Sequence, residues 1–297
     1  MAIALSIVVP CYNQRRTIEG LLASLEQQTA DKGLFEVIVC DSGSNDGSVQ
    51  FVREYRGGLA IQAAIGSGRL SRAATRNMGL ALLRGSTVLF LDGDMKASPG
   101  LVERHLKAQE ALPAVYMGIV YPCAELQDNV FHWYRTGRGA NKMREGVPLP
   151  PKYFRTNNAS VPMAMLRKAG RFNEAYTEWG GEDIEMGYAL QRCNASFYLV
   201  SEAMAFHDHD ETIDEYVRKM GRYAQTGLKL LVENCPEFAA QGYMALFREN
   251  PVWLRLLFEP FIYWIFYALR KLPLPRSVAF RIYDYITYYH IYHGMRG

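Results

Sequence analysis

The sequence predicts an α/β fold: a Rossmann-like, mostly parallel sheet with flanking helices, followed by a helical C-terminal extension. Three features predict it. Short, uninterrupted apolar runs alternate with helical-period segments through roughly the first 100 residues. Polar, glycine-bearing loops follow several of those runs directly. Beyond residue 210 the composition shifts to a stretch dense in Trp, Tyr, Phe, Arg and Lys.

Residues 5–9 form a β-branched apolar run ending at Pro10, the pattern of a strand buried on both faces of a parallel sheet. The period then changes. Ile18, Leu21, Leu22 and Leu25 recur at helical spacing, and a second buried run at residues 37–40 completes a β-α-β unit. The loop Asp41-Ser42-Gly43-Ser44-Asn45-Asp46-Gly47 follows at a strand's carboxyl end, where open α/β sheets bind ligands. A third strand over 61–65 precedes a helix over 73–83, and Val88-Leu89-Phe90-Leu91 stops at Asp92-Gly93-Asp94. A helix over 101–109, a strand over 115–121 and a polar stretch over 136–151 come next, the last suited to a mobile lid over a substrate site. Glu182-Asp183-Ile184-Glu185 opens a helix ending near Arg192; strands over 197–200 and 203–206 lead to His207-Asp208-His209, and one helix is expected over 213–232.

Composition excludes several classes. A net charge of +3 supplies no basic stripe for nucleic acid. Five scattered cysteines, Cys11, Cys40, Cys123, Cys193 and Cys235, form no CxxC pair and imply free thiols in a reducing, cytoplasmic compartment. The apolar start lacks the positive region of a secretion signal. Arg255, Glu259 and Pro260 interrupt residues 252–269, leaving too short an apolar run for a membrane span, which needs about 20 residues.

Asp92 and Asp94, one residue apart at the tip of a buried strand, can aim at one ligand; hard oxygen donors of this kind suit Mg²⁺ or Mn²⁺ bridging a diphosphate. Asp-Gly-Asp alone is also an ordinary turn, and Arg76 alone a solvated helix residue. In Trp179-Gly180-Gly181-Glu182-Asp183, two glycines allow close backbone approach to a ligand, two carboxylates sit at a helix N-terminus, and the tryptophan offers a flat face for a sugar ring. The plainer alternative is an N-capping acidic pair beside a core Trp. Alternation in an extended segment sends the rings of His207 and His209 to one side.

Together these motifs resemble glycosyltransferase family 2, with its GT-A fold, over about residues 3–210. Val9-Pro10-Cys11-Tyr12-Asn13 is similar to the family's strand-ending turn that touches the nucleotide base, so the resemblance implies Pro10, Tyr12 and Asn13 in donor binding. Asp41-Ser42-Gly43-Ser44-Asn45-Asp46 resembles the loop that holds uridine; Ser42 replaces the usual second aspartate, leaving Asp41 for the base. Arg76-Asn77-Met78-Gly79 and Leu89-Phe90-Leu91-Asp92-Gly93-Asp94 are similar to the paired motifs that place an arginine near the donor and a metal on the last aspartate. The Trp-Gly-Gly-Glu-Asp segment resembles the acceptor motif of galactosyl- and N-acetylgalactosaminyl-transferases, implying Trp179, Gly180 and Gly181 at the acceptor. His207 or His209, with His207 preferred, matches the histidine that family members supply to the metal.

The resemblance implies a metal-dependent, inverting transfer from a UDP-sugar to a hydroxyl on a glycan or lipid-linked glycan. Asp183 is the base, Glu182 orients the acceptor, and Asp94 with His207 holds Mn²⁺ or Mg²⁺. It divides the chain into a catalytic domain, residues 1–212, with a nucleotide-binding half at 1–97 and an acceptor-binding half at 98–212, and an extension at 213–297. In the extension Trp253, Leu254, Leu257, Phe258, Phe261, Ile262, Trp264, Ile265 and Phe266 stand among Arg255, Arg270, Lys271, Arg276 and Arg281. They read as interfacial helices for the anionic inner face of a membrane, or as helices packed on the catalytic domain or a partner subunit. Two rival functions are a sugar-nucleotide pyrophosphorylase, whose glycine-rich basic phosphate loop is missing after the first strand, and a membrane scaffold with a vestigial pocket.

Overall fold

A computed structural model describes residues 2–137 and 143–296. The first half alternates β1 (Leu5–Cys11), α1 (Arg15–Glu26), β2 (Phe35–Asp41), α2 (Ser48–Arg53), β3 (Ala60–Ile65), α3 (Arg72–Leu80) and β4 (Thr87–Leu91). A short β5 (Met95–Ala97), α4 (Leu101–Ala111), β6 (Val115–Pro122), α5 (Val130–Thr136), β7 (Asn158–Pro162), α6 (Met163–Ala169), α7 (Glu182–Arg192) and β8 (Phe197–His207) follow. The strands form one sheet in the order β3-β2-β1-β4-β7-β6-β8-β5. Pairing is parallel from β3 through β4 and between β6 and β8, and antiparallel at β4–β7, β7–β6 and β8–β5.

Alternation along the strands builds two layers. Leu5, Ile7 and Val9 of β1 face α1 and α4 with Leu21, Leu22, Leu25 and Leu101. Val8 and Ile38 face the opposite side, with Ala73 of α3, Leu166 of α6 and Met186 of α7. A third core gathers α8 (Ile213–Gln225), α9 (Gly227–Asn234), α10 (Pro236–Ala239), α11 (Gly242–Glu249), α12 (Val252–Leu257), α13 (Pro260–Leu269) and α14 (Arg276–Gly294) around Phe131, Tyr134, Tyr176 and Tyr188. The C-terminal helices therefore share a core with residues from before position 213.

Several expectations change. The two strands expected over 197–206 are one, β8, carrying a bulge: Gly118 pairs with Val200 but Ile119 with Met204. A Cβ on Gly118 would lie 2.3 Å from the Ala203 carbonyl, so the strand bends around a residue that has none. The single helix expected over 213–232 is broken at Thr226, whose φ −121° and ψ −84° leave the helical region, and Gly227 just after it comes so close to Gly180 that a Cβ would lie 2.3 Å from its carbonyl oxygen. The helix expected to reach 83 ends at Leu80. In the polar stretch expected as a lid, residues 138–142 lie outside the described residues. Beyond them, Ser201 N donates to Glu145 Oε1 at 2.9 Å and Leu149 N to the Phe197 carbonyl at 2.8 Å.

The parallel half is pinned by one buried carboxylate. Glu36 on β2, fully buried, accepts from Ser6 Oγ of β1 at 2.7 Å, Gln62 Nε2 of β3 at 2.8 Å, and Arg84 Nε and backbone N at 2.6 and 2.9 Å. Burial alone would push its pKa up; hydrogen bonds from Arg84, Ser6 and Gln62 outweigh it and hold the pKa below the ordinary value. Arg84 is exposed and stays solvated without its partner, so Glu36→Ala acts by leaving the buried Ser6 hydroxyl, Gln62 and the Arg84 N–H short of an acceptor, and should cost about 1–3 kcal/mol, measured by urea unfolding at neutral pH. Because the folded pKa is depressed, that stability is present above the unfolded value near 4.3 and is lost as pH falls through the folded one. The gap between wild type and variant should therefore close in acid.

Candidate active site

The loops after β1, β2 and β4 meet at the carboxyl ends of the parallel strands, and much of their polar chemistry is spent on bracing one another. Asp41 accepts from Gly43 N at 2.9 Å, Ser44 N at 2.7 Å and Ser44 Oγ at 2.6 Å. Asn13, at φ +50°, accepts from Asn45 N at 3.0 Å while its own N donates to Ser44 Oγ at 2.8 Å. Asp46 caps both flanking helices through Arg15 N at 2.8 Å and Ser48 N at 3.0 Å. Asn13 and Asp41 thus set the shape of the loops after β1 and β2, whereas Pro10, Tyr12 and Ser42 line a cleft of about 810 Å³.

Asp92 and Asp94 line the same cleft. The glycine between them is required by space, since a Cβ there would lie 2.8 Å from Gln14 Oε1 and 3.0 Å from the Pro10 carbonyl. The chain then enters β5, which pairs Met95 with His207 of β8, and Asp208 N donates to the Asp94 carbonyl at 2.8 Å. This pairing brings His207 Nε2 to 3.5 Å from Asp94 Oδ2. The His209 ring lies 6.0 Å from that of His207 and is more exposed. Burial, then Arg135 and His209, pushes the His207 pKa down to about 3, so its ring is neutral and able to ligate. Asp94 Oδ1 is buried without a protein partner. Asp94 and His207 therefore fit two positions around Mg²⁺ or Mn²⁺, although among the described residues no three His, Cys, Asp or Glu side chains gather to hold an ion by themselves.

Arg76 is not the solvated helix residue its position alone would allow. It is 2% exposed, and its guanidinium meets Asp92 Oδ1 and Glu182 Oε1, each at 3.1 Å, and Asp183 Oδ1 at 3.6 Å. Burial would lower its pKa, but Asp183, Asp92 and Glu182 more than reverse that. Burial pushes Asp92, Asp94 and Glu182 upward, with a neighbouring aspartate adding to the rise at Asp92 and Glu182. Glu182 is 5% exposed; Asp183, at the first turn of α7, accepts from Thr156 Oγ1 at 2.9 Å and Thr156 N at 3.3 Å. Arg76 and Glu182 are nearly inaccessible, whereas the Asp183 and His207 side chains are 19% and 14% exposed.

Gly180 and Gly181 have φ +97° and +102°. A Cβ on the first would lie 2.9 Å from the Tyr223 ring, and on the second 2.4 Å from the Tyr176 ring. Their smallness serves packing against Tyr223 of α8 and Tyr176. Trp179 does line the cleft, edge-on to Tyr223 at 6.0 Å and with Lys219 Nζ 5.3 Å from its ring centroid. Arg69, Arg72, Lys219 and Arg222 also line the cleft and went unread in the sequence. Arg72 was legible, standing four residues before Arg76 on one helix face.

The family model described as Glycosyl transferase family 2 matches residues 6–170, more than half of the chain. The chain belongs to glycosyltransferase family 2. Validoxylamine A glucosyltransferase of Streptomyces hygroscopicus subsp. jinggangensis is 32% identical over 262 residues, covering 77% of this chain but 62% of that relative. The chain thus spans less than two thirds of that relative's length. The mannosyltransferase PcManGT from Pyrobaculum calidifontis, solved with GDP-Man and Mn²⁺, superposes with a TM-score of 0.64 at 18% identity, covering 98% of this chain and 86% of that one. TarS 1–349 of S. aureus with UDP gives 0.60 at 18% identity, covering 99% and 91%. These two likenesses establish the GT-A fold, including the helical C-terminal region. A family of sugar transferases leaves the pyrophosphorylase and scaffold readings without support.

The glycine geometry gives a direct test. Gly181→Ala meets both a left-handed φ and the Tyr176 ring, and should cost about 1–3 kcal/mol or more, with Asp183 displaced. Thermal unfolding and transfer activity should fall together.

Proposed function

We propose that the chain transfers a sugar from a UDP-sugar to a hydroxyl on a glycan or lipid-linked glycan, with inversion at the anomeric carbon. The observation that carries this reading is the Arg76 guanidinium, which binds Asp92 on the donor side and Glu182 and Asp183 on the acceptor side within 3.6 Å. It sets a basic carboxylate beside the donor cleft without a covalent nucleophile between them. The UDP bound by TarS and the GDP-Man and Mn²⁺ bound by PcManGT support a nucleotide-sugar donor with a divalent ion.

Asp183 takes the acceptor proton while the hydroxyl attacks, a general-base role worth about 10²- to 10⁴-fold in rate. Thr156 orients its carboxylate through two hydrogen bonds. Glu182, nearly inaccessible and paired with Arg76, is assigned to holding that arginine rather than to touching the acceptor. Trp179 supplies the acceptor face. Asp94 and His207 hold the Mn²⁺ or Mg²⁺ ion, which when bound neutralises charge on the departing diphosphate.

Asp183→Asn should lose transfer by about 10²-fold or more while donor affinity, read by calorimetry, stays within about twofold. Near-wild-type transfer by the variant would remove Asp183 as the base. Exhaustive chelation should abolish transfer and Mn²⁺ or Mg²⁺ restore it; activity that survives chelation would remove Asp94 and His207 from metal binding.

We also assign the exposed side of α12 and α13 to an anionic membrane at the cytoplasmic inner face. Trp253, Leu256, Phe261 and Trp264 are 54%, 60%, 76% and 62% exposed, near exposed Arg255, Lys271, Arg276 and Arg281. No helix among the described residues is long and apolar enough to cross a membrane. Leu254, Phe258 and Tyr263 are buried in the C-terminal core, so deleting the extension would unfold part of the protein. The cleaner test is Phe261→Asp with Trp264→Asp. The wild type should float with phosphatidylserine vesicles and the double variant should stay at the bottom of the gradient; equal flotation would end the membrane assignment.

A further inference from the structure

Helix α8 starts three residues beyond Asp210, is capped by Thr212 and Glu215, and runs back past the acceptor motif. Lys219, Arg222 and Tyr223 share one of its faces at helical spacing. Tyr223 packs edge-on against Trp179 and touches the backbone of Gly180, so the two cations beside it are set by packing. Lys219 is held from behind by Glu211, which is 3% exposed and also takes Arg135 Nε at 3.0 Å. One buried carboxylate thus answers two cations. Arg72 enters the same cleft from α3, and among the described residues neither Arg72 nor Arg222 joins an ion pair.

We infer that Lys219, Arg222 and Arg72 form a phosphate-binding wall of the cleft, separate from the Asp94–His207 pair, which takes the diphosphate of the donor. This rests on the reading that a nucleoside diphosphate enters this cleft. Lys219 and Arg222 lie beyond residues 6–170, so two of the three cations come from a part of the chain that the family model does not reach, while Arg72 lies within it. Burial, with Arg135 and Arg72 nearby, lowers the Lys219 pKa, and a phosphate beside it would restore the charged form. The grip of Glu211 and the face of Trp179 hold the ammonium where it can meet phosphate oxygens without first paying to be ordered. A phosphate carried on the acceptor would satisfy the same chemistry, and binding experiments separate the two sources.

The test is calorimetric titration of the full chain with UDP, GDP and uridine, each with and without Mn²⁺, and with inorganic phosphate in the presence of saturating UDP. Lys219→Met and Arg222→Met are compared with Lys219→Arg; Arg222 is exposed, so its variant leaves the core intact. If the wall takes the donor, both Met variants weaken UDP about tenfold, leave uridine unchanged, and keep the effect in chelator, while Lys219→Arg retains most of the affinity. If UDP is unaffected and the phosphate bound alongside it is lost, the wall stands as a phosphate site but its donor assignment is overturned. Unchanged binding of both UDP and phosphate overturns the wall. A wild type that binds neither UDP nor GDP, yet binds phosphate through Lys219, would sink the nucleotide-sugar reading while leaving the wall in place.

Discussion

The site depends on one buried guanidinium. Asp92 and Asp94 stand at the tip of β4, Glu182 and Asp183 at the start of α7, and four converging carboxylates would repel one another without a cation between them. Arg76 occupies that place, and the way α3 delivers it is traceable residue by residue. Gly79 lets the helix press onto the sheet, since a Cβ there would lie 2.4 Å from Cys40 Sγ. Asn77, next to Arg76, grips the backbone of Phe172 through N and O contacts of 3.0 and 2.8 Å, fixing the segment that leads to Trp179. A single helix turn thereby ties donor loop, acceptor loop and sheet together. An ion pair this deep adds little net stability; its worth is that it fixes which loops face each other.

Much of the first half was legible because parallel strands buried on both faces leave unmistakable apolar runs. β1, β2 and β4 extend those runs by only a residue or two. What escaped is what sequence period does not encode. β5 has three residues and β7 ends in proline, so neither shows a run, yet β5 is what carries His207 to Asp94. The bulge in β8 is written as Gly118 on the neighbouring strand, 85 or so residues away in sequence, where no local pattern can announce it. The motifs were legible, but their internal bracing was not: Asp41 and Asn13, expected at the nucleotide, also hold the loops after β1 and β2 in shape, and Lys219 and Arg222, which no motif marks, line the cleft.

The C-terminal extension shows why composition alone left two readings open. Aromatic residues at adjacent positions divide between inside and outside: Tyr263 is buried and packs on Tyr289 at 4.3 Å, while Trp264 beside it is 62% exposed. Phe258 packs on Tyr292 at 4.8 Å, and Phe261, one turn on, faces outward. The packing reading thus holds for one face of these helices, while the other stays exposed. Phe131 and Tyr134 of α5 belong to this same core, and Arg135 beside them pairs with Glu211.

The bracing of the donor loops bears on how a base is selected. With both Asp41 oxygens occupied and Asn13 turned to Asn45, the cleft is lined after β1 and β2 by the Tyr12 ring, with Arg69 5.1 Å over it, the Gln14 amide, and the Ser42 hydroxyl, weakly tied to the Cys11 carbonyl at 3.4 Å. A ring stacks on any base, and a hydroxyl both donates and accepts. Such a surface discriminates less sharply than a carboxylate placed to accept an imide proton, because no buried charge is left unpaired by the wrong base. Arg69, Arg72, Lys219 and Arg222 line the same cleft, so the charge of an anionic ligand, rather than the edge of its base, has the stronger complement there.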